Sequence, residues 1–99
     1  MTSTEQLNEL EASWEIGVGF LGKLRVGVFD QELCNRFIEL LEAIDLEEEI
    51  IPKRAASLLW YIPLFMEWQK DRLKSMETAE YAIRKTKIEG ELERILGIP

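Results

Sequence analysis

The string Gly17-Val18-Gly19-Phe20-Leu21-Gly22-Lys23-Leu24 is the segment of this chain whose spacing is most similar to a ligand-binding motif. Its three glycines match a dinucleotide-binding turn, and Lys23 after Gly22 matches most of a phosphate-binding loop. That loop places Ser or Thr after the lysine to hold magnesium, and here Leu24 stands there. Both motifs follow a β-strand, whereas an amphipathic helical pattern precedes these glycines. We therefore expect the glycines to let a helix approach closely or to loosen a bend.

The chain has no histidine and one cysteine, which limits its remaining chemistry. Without histidine, the usual general base, zinc ligand and pH switch is missing. Cys34 falls on the apolar side of a predicted helix. We expect an inert core thiol, because reactive thiols need exposure and a nearby positive charge. A single cysteine is typical of a reducing, cytoplasmic environment. We predict no enzymatic activity, no cofactor and no metal site.

Carboxylates are the most numerous candidates, and they are concentrated in the first half of the chain. Residues 1–51 carry twelve acids and three bases, a net charge of −9, whereas residues 52–99 carry seven acids and nine bases, a net charge of +2. A strongly acidic surface attracts basic partners and repels nucleic acid. Adjacent acids on a helix point about 100° apart, so the run before residue 50 does not converge on one cation. We predict an acidic face that binds a basic protein, formed by Glu39, Glu42, Asp45, Glu47, Glu48 and Glu49.

Composition favours one soluble domain spanning residues 1–99. At 46% hydrophobic and 31% charged residues, the chain has enough apolar material for a core and an ordinary soluble surface. Its longest uncharged stretch, Ala55–Met66, is well short of the roughly 20 apolar residues that a membrane span requires. We therefore expect a cytoplasmic protein that contacts neither membrane nor nucleic acid.

Apolar residues recur at spacings of three and four in four segments, and no segment alternates like a β-strand. This pattern predicts an all-α fold, a compact bundle of four helices. Asp30 is a suitable N-cap for the second helix, and the glycine near the end of the chain is a suitable stop for the fourth. The predicted helices run from about Thr4 to Val26, from Asp30 through Ile44, from Pro52 to Leu73, and from about Ser75 or Thr78 to Leu96.

The third predicted helix is apolar on nearly all sides, which is typical of a helix at the centre of a fold or shared with a partner. Pro63 removes a backbone hydrogen bond, so we expect a kink or a break near Tyr61–Ile62. Tyr61, Leu64 and Trp68 form a second apolar arc on this helix, with Trp60 at its edge. Either the fourth helix covers this arc, or the arc is a protein interface, such as the seam of a homo-oligomer.

The stretch Phe20-Leu21-Gly22-Lys23-Leu24-Arg25-Val26-Gly27-Val28-Phe29-Asp30, continuing to Arg36-Phe37, resembles a pattern of small bacterial immunity proteins of the colicin D immunity type. The resemblance covers about a quarter of the chain. It implies a small, acidic, helical, cytosolic protein that neutralises a basic nuclease toxin by presenting acids that mimic the nucleic-acid substrate. The apolar third helix with Pro63 has no counterpart in that pattern.

The sequence thus predicts a non-enzymatic protein-interaction module whose acidic face binds a basic partner, with immunity-like neutralisation as one form of that function. The alternative is a homo-oligomeric structural or accessory protein that associates, for instance as a homodimer, through the arc of Tyr61, Leu64 and Trp68.

Overall fold

The computed structural model describes residues 4–44, 51–73 and 77–97. Within these ranges the chain is helical and contains no β-strand, so the all-α prediction is confirmed. The expected bundle of four helices is not confirmed: the first predicted helix is divided, and the third is interrupted near Pro63 as the sequence predicted. The elements are α1 Thr4–Ser13, α2 Phe20–Arg25, α3 Gln31–Ala43, α4 Lys53–Leu59, α5 Ile62–Gln69, a 3₁₀ turn Lys70–Arg72, and α6 Thr78–Leu96.

The first division separates α1 from α2, where we expected one continuous helix. Helix α1 ends at Ser13, and four residues later the backbone of Gly17 adopts a left-handed φ of +78°, which a helix does not contain. The amide groups of Val18 and Gly19 then both donate to the carbonyl oxygen of Glu15, at 3.2 and 3.0 Å. A tight turn results, and it leaves Val18 exposed.

The second division separates α4 from α5 and lies where Pro63 predicted an interruption. Pro63 stands in the first turn of α5, where its missing N–H group costs nothing. The two residues between the helices, Trp60 and Tyr61, keep right-handed helical backbone angles. Helices α4 and α5, with the following 3₁₀ turn, therefore form one kinked stretch of helix, which we call the α4–α5 arm.

One apolar cluster forms the core, and every α-helix contributes to it. Helix α3 packs along α6, α1 packs on α4, and α5 lies between α2 and α6. The Tyr81 hydroxyl crosses this core and donates to the carbonyl oxygen of Met66 at 2.7 Å. Near the other end of α6, the Arg94 guanidinium donates to the carbonyl oxygens of Leu41 and Ile44. These bonds join α6 to α5 and to the end of α3.

Asp30 begins α3 as the sequence predicts. Its Oδ1 accepts a hydrogen bond from the Leu33 amide at 3.0 Å, and its Oδ2 lies 3.2 Å from Lys23 Nζ. The backbone bond first, and then the lysine, hold the pKa of the Asp30 carboxyl below its usual value. This cap therefore fixes the short connection between α2 and α3.

Among the helices of the described ranges, none combines the length and the apolar composition that crossing a bilayer requires.

Candidate functional site

The most prominent surface feature is a row of large apolar side chains along the outer side of the α4–α5 arm. Trp60 is 61% exposed, Leu64 43% and Trp68 56%. They are spaced four residues apart, so on a helical path they lie on one face. The Tyr61 ring is half-buried between the two indoles, with its centre 5.4 Å from that of Trp60 and 5.8 Å from that of Trp68. We call these four residues the aromatic patch.

The aromatic patch has a packed support beneath it. The ring of Trp14, the residue that follows α1, stacks on the Tyr61 ring at 6.1 Å and meets the buried Phe65 ring edge-on at 5.0 Å. The Trp14 indole N–H donates to the carbonyl oxygen of Leu58 at 3.0 Å, which fixes α1 against α4. Because Tyr61 is held from below, the patch has limited freedom to rearrange.

Charged side chains contact the helices that carry the patch. The Arg25 guanidinium of α2 lies 5.3 Å from the centre of the Phe65 ring, and the Arg25 carbonyl oxygen accepts from Arg72 Nη1 at 2.6 Å. Arg54 Nε of α4 pairs with Glu11 Oε1 of α1 at 2.9 Å. These contacts join α2 and α1 to the arm.

The structure describes two of the six residues of the predicted acidic face. Glu39 and Glu42 are both exposed on α3. Lys87 of α6 lies 3.8 Å from Glu42, so a basic side chain adjoins this surface. The other four residues of the predicted face, Asp45, Glu47, Glu48 and Glu49, lie outside the described residues.

Two of the three glycines in the motif-like string, Gly19 and Gly22, allow close backbone packing. A Cβ atom on Gly19 would lie 2.2 Å from the carbonyl oxygen of Ala12, and one on Gly22 would lie 1.8 Å from that of Glu15. These distances allow only glycine, because real Cβ contacts are far longer. Lys23, the phosphate-binding candidate, pairs instead with the carboxylate that caps α3. The groove beside Gly19 and Phe20 has a volume of about 450 Å³ and is lined mainly by apolar side chains.

Cys34 lies in the core with no exposed surface, as the sequence predicted. Its burial raises the pKa of the thiol to about 12, so the nucleophilic thiolate is scarce at neutral pH. Burial likewise raises the pKa of the Tyr81 hydroxyl, which acts as a hydrogen-bond donor. Neither group is poised for nucleophilic chemistry.

The role of Trp60 was underestimated from the sequence, because we placed it only at the edge of the apolar arc. The structure makes it the most exposed member of the patch. Its spacing of four residues from Leu64, repeated between Leu64 and Trp68, is the signal that identifies it. The aromatic patch is thus the predicted arc of Tyr61, Leu64 and Trp68 with Trp60 added, and three of its four members are exposed.

No family model matches this chain, and comparisons with curated proteins and with solved structures find no significant similarity.

Proposed function

We propose that this chain is a non-enzymatic protein-interaction module that binds through the aromatic patch. The observation that carries the proposal is the exposure of Trp60, Leu64 and Trp68 on one face of a well-packed arm. Aromatic side chains dominate the binding energy of protein interfaces. Contiguous exposed apolar surface on a soluble domain marks a binding site more often than chance.

The support beneath the patch favours this function energetically. A binding surface that is ordered before binding loses less conformational entropy when a partner arrives. Tyr61 is held between Trp14 and the indoles of Trp60 and Trp68. Tryptophan and tyrosine also offer large contact area with only two side-chain torsions. The patch therefore has the composition and the rigidity of a binding hot spot.

A second candidate function is binding of a basic protein by the acidic face. The net charge of −9 over residues 1–51 and the exposure of Glu39 and Glu42 favour it. Charges of this kind act mainly on association rate and specificity. Neutralisation of a basic toxin, as in the colicin D immunity type, is one form that this function would take. It requires association that weakens as salt rises, because exposed charges are screened.

Site-specific photo-cross-linking in cells that express the protein separates these functions. A photoreactive phenylalanine analogue replaces one residue at a time: Leu64 in the aromatic patch, Glu39 in the acidic face, and Glu93 as the control. Glu93 is exposed on α6 and belongs to neither surface. We expect a discrete protein adduct at position 64 and none at position 93, because only the patch holds a partner within reach.

Each pattern of adducts has a distinct meaning. An adduct at position 39 alone, with a basic protein, would replace the patch by the acidic face as the binding surface. Equal labelling at positions 64 and 93 would mean random collision and would contradict the proposal. The absence of any intermolecular adduct at position 64 would contradict it as well.

A further inference from the structure

The aromatic patch has a palindromic arrangement. Leu64 stands in the middle, with Trp60 four residues before it and Trp68 four residues after it. A two-fold interface brings residue i of one copy to residue j of the other, and residue j to residue i. Two α4–α5 arms that cross antiparallel at Leu64 therefore place each Trp60 opposite a Trp68. A surface with this symmetry is complementary to itself.

We infer that the occupant of the aromatic patch is a second copy of this chain, in an antiparallel dimer with its two-fold axis at Leu64. This inference rests on the proposed function and names the partner of the same surface. It also selects one of the two possible directions of pairing, since a parallel pair would stack each tryptophan on its own equivalent.

The ends of the arm are complementary in charge. Lys53 begins the arm, and Asp71 lies in the 3₁₀ turn that ends it. In the antiparallel pair, Lys53 of one copy comes within about one helical turn of Asp71 of the other. Lys70 and Arg72, the bases beside Asp71, are engaged with a carboxylate and with a backbone carbonyl of their own chain. The antiparallel direction therefore pairs opposite charges at the ends.

The exposed area of the aromatic patch sets the expected affinity of the dimer. Taking about 250 Å² for a whole tryptophan side chain, the exposed fractions amount to roughly 350 Å² of apolar surface in each copy. Two copies would bury about 700 Å², below the roughly 1,200 Å² of a standard stable interface. We therefore expect a reversible dimer with a dissociation constant on the order of 10–100 μM.

Salt should strengthen this dimer. Each chain carries a net charge of −7, so two copies repel one another and screening removes part of that repulsion. A complex between the acidic face and a basic protein has the opposite salt dependence. The direction of the salt effect thus reports which surface is used.

Sedimentation equilibrium of the full chain, from about 1 to 500 μM at low and high salt, tests the inference. We expect the mass to rise from 11.5 kDa towards twice that value, at lower concentration in high salt. Leu64→Arg and Trp68→Glu should weaken the dimer at least tenfold. Ile83→Arg, which makes the same kind of change at an exposed apolar residue on α6, should not. A wild-type chain that is monomeric at the highest concentration would overturn the inference.

Cysteine cross-linking tests the direction of pairing without depending on patch-disrupting charges. The native Cys34 is buried and stays unreactive in the folded protein. With a short bifunctional maleimide, Leu64→Cys should cross-link to itself, and Trp60→Cys should cross-link to Trp68→Cys in a mixture. Trp60→Cys and Trp68→Cys should each give little product alone. Efficient cross-linking of each alone, with none in the mixture, would mean a parallel pair and would overturn the antiparallel dimer.

Different experimental results would contradict the homodimer and the proposed function. A monomeric chain whose position 64 photo-cross-links to a protein of another mass retains the proposed function and loses the homodimer. A monomeric chain with no adduct at position 64 loses both. An adduct at twice the mass of the chain, together with a concentration-dependent dimer, supports both.

Discussion

Replacing single glycines by alanine should change the free energy of unfolding in opposite directions at different positions. Gly22 of α2 lies against the turn that follows α1. An added Cβ atom would be 1.8 Å from the carbonyl oxygen of Glu15 and 2.4 Å from its carbonyl carbon. Both are backbone atoms, so no side-chain rotation relieves the overlap. The two segments have to move apart, and the apolar contacts of α2 with the core loosen.

The structure gives a magnitude for each substitution. Overpacking of this kind costs about 1–3 kcal/mol, and we expect Gly22→Ala near the upper end because backbone must shift. Gly17→Ala should cost about 1–2 kcal/mol, since its φ of +78° is unfavourable for any residue with a Cβ atom although the space is open. Gly90→Ala should stabilise by about 0.5–1 kcal/mol, because Gly90 lies inside α6 with nothing within 4 Å of the added atom.

Urea unfolding followed by far-UV circular dichroism measures all three variants against the wild type. From most to least stable, the expected order is Gly90→Ala, wild type, Gly17→Ala and Gly22→Ala. The slope of the unfolding free energy against urea concentration should be similar in all four. Gly90→Ala is the matched control, since it makes the same chemical change in open helical surface. If Gly22→Ala were as stable as the wild type, the packing of α2 on the turn after α1 would be wrong. Ligand binding would then have to be reconsidered as the role of these glycines.

Two further predictions concern buried and capping hydrogen bonds. Tyr81→Phe should lower the free energy of unfolding by about 1–2 kcal/mol, because the buried hydrogen bond from the Tyr81 hydroxyl to the carbonyl oxygen of Met66 is lost; the urea midpoint should fall with an unchanged slope. Asp30→Ala should cost about 1 kcal/mol at neutral pH. The Asp30 carboxyl has a lowered pKa when folded, so its contribution is present above the usual value of 3.8 and disappears as the pH falls through the folded pKa. Unfolding curves at neutral pH and at a pH well below the folded pKa should therefore show the gap in unfolding free energy between wild type and Asp30→Ala narrowing; a gap that does not change with pH would contradict the stabilisation of the charged carboxylate.

The sequence predicted the helical class and most helix boundaries, but not the reversal between α1 and α2. Apolar residues on both sides of the turn, Leu10 before it and Leu21 after it, face the same core. Their spacing therefore continues a helical period although the backbone changes direction. The glycines indicated a weak point in the predicted helix. The left-handed backbone of Gly17, however, is not encoded by the spacing of apolar residues. Pro63 was more informative, since a missing N–H group has the same local effect in any fold.

The candidate site was predictable in composition and not in exposure. The sequence identified Tyr61, Leu64 and Trp68 as one arc and left open whether the fourth helix covers it. In the structure, α6 packs against α3 and against the inner side of α5, so it cannot also cover the outer side. Which side of an all-round apolar helix stays uncovered depends on how the helices are ordered in space. That order is a property of the whole chain and has no local signal.

The exposed indoles and the negative charge act on different steps of binding. An acidic chain meets a basic partner faster and repels another copy of itself, and both effects lie mainly in the association rate. The aromatic patch acts after contact, when Trp60 and Trp68 are removed from water, and its effect lies mainly in the dissociation rate. A substitution at Trp68 should therefore shorten the lifetime of any complex on the patch, whereas neutralising Glu39 and Glu42 should leave that lifetime unchanged. The two surfaces are in this sense independent, and kinetics at two salt concentrations assigns a complex to one or the other.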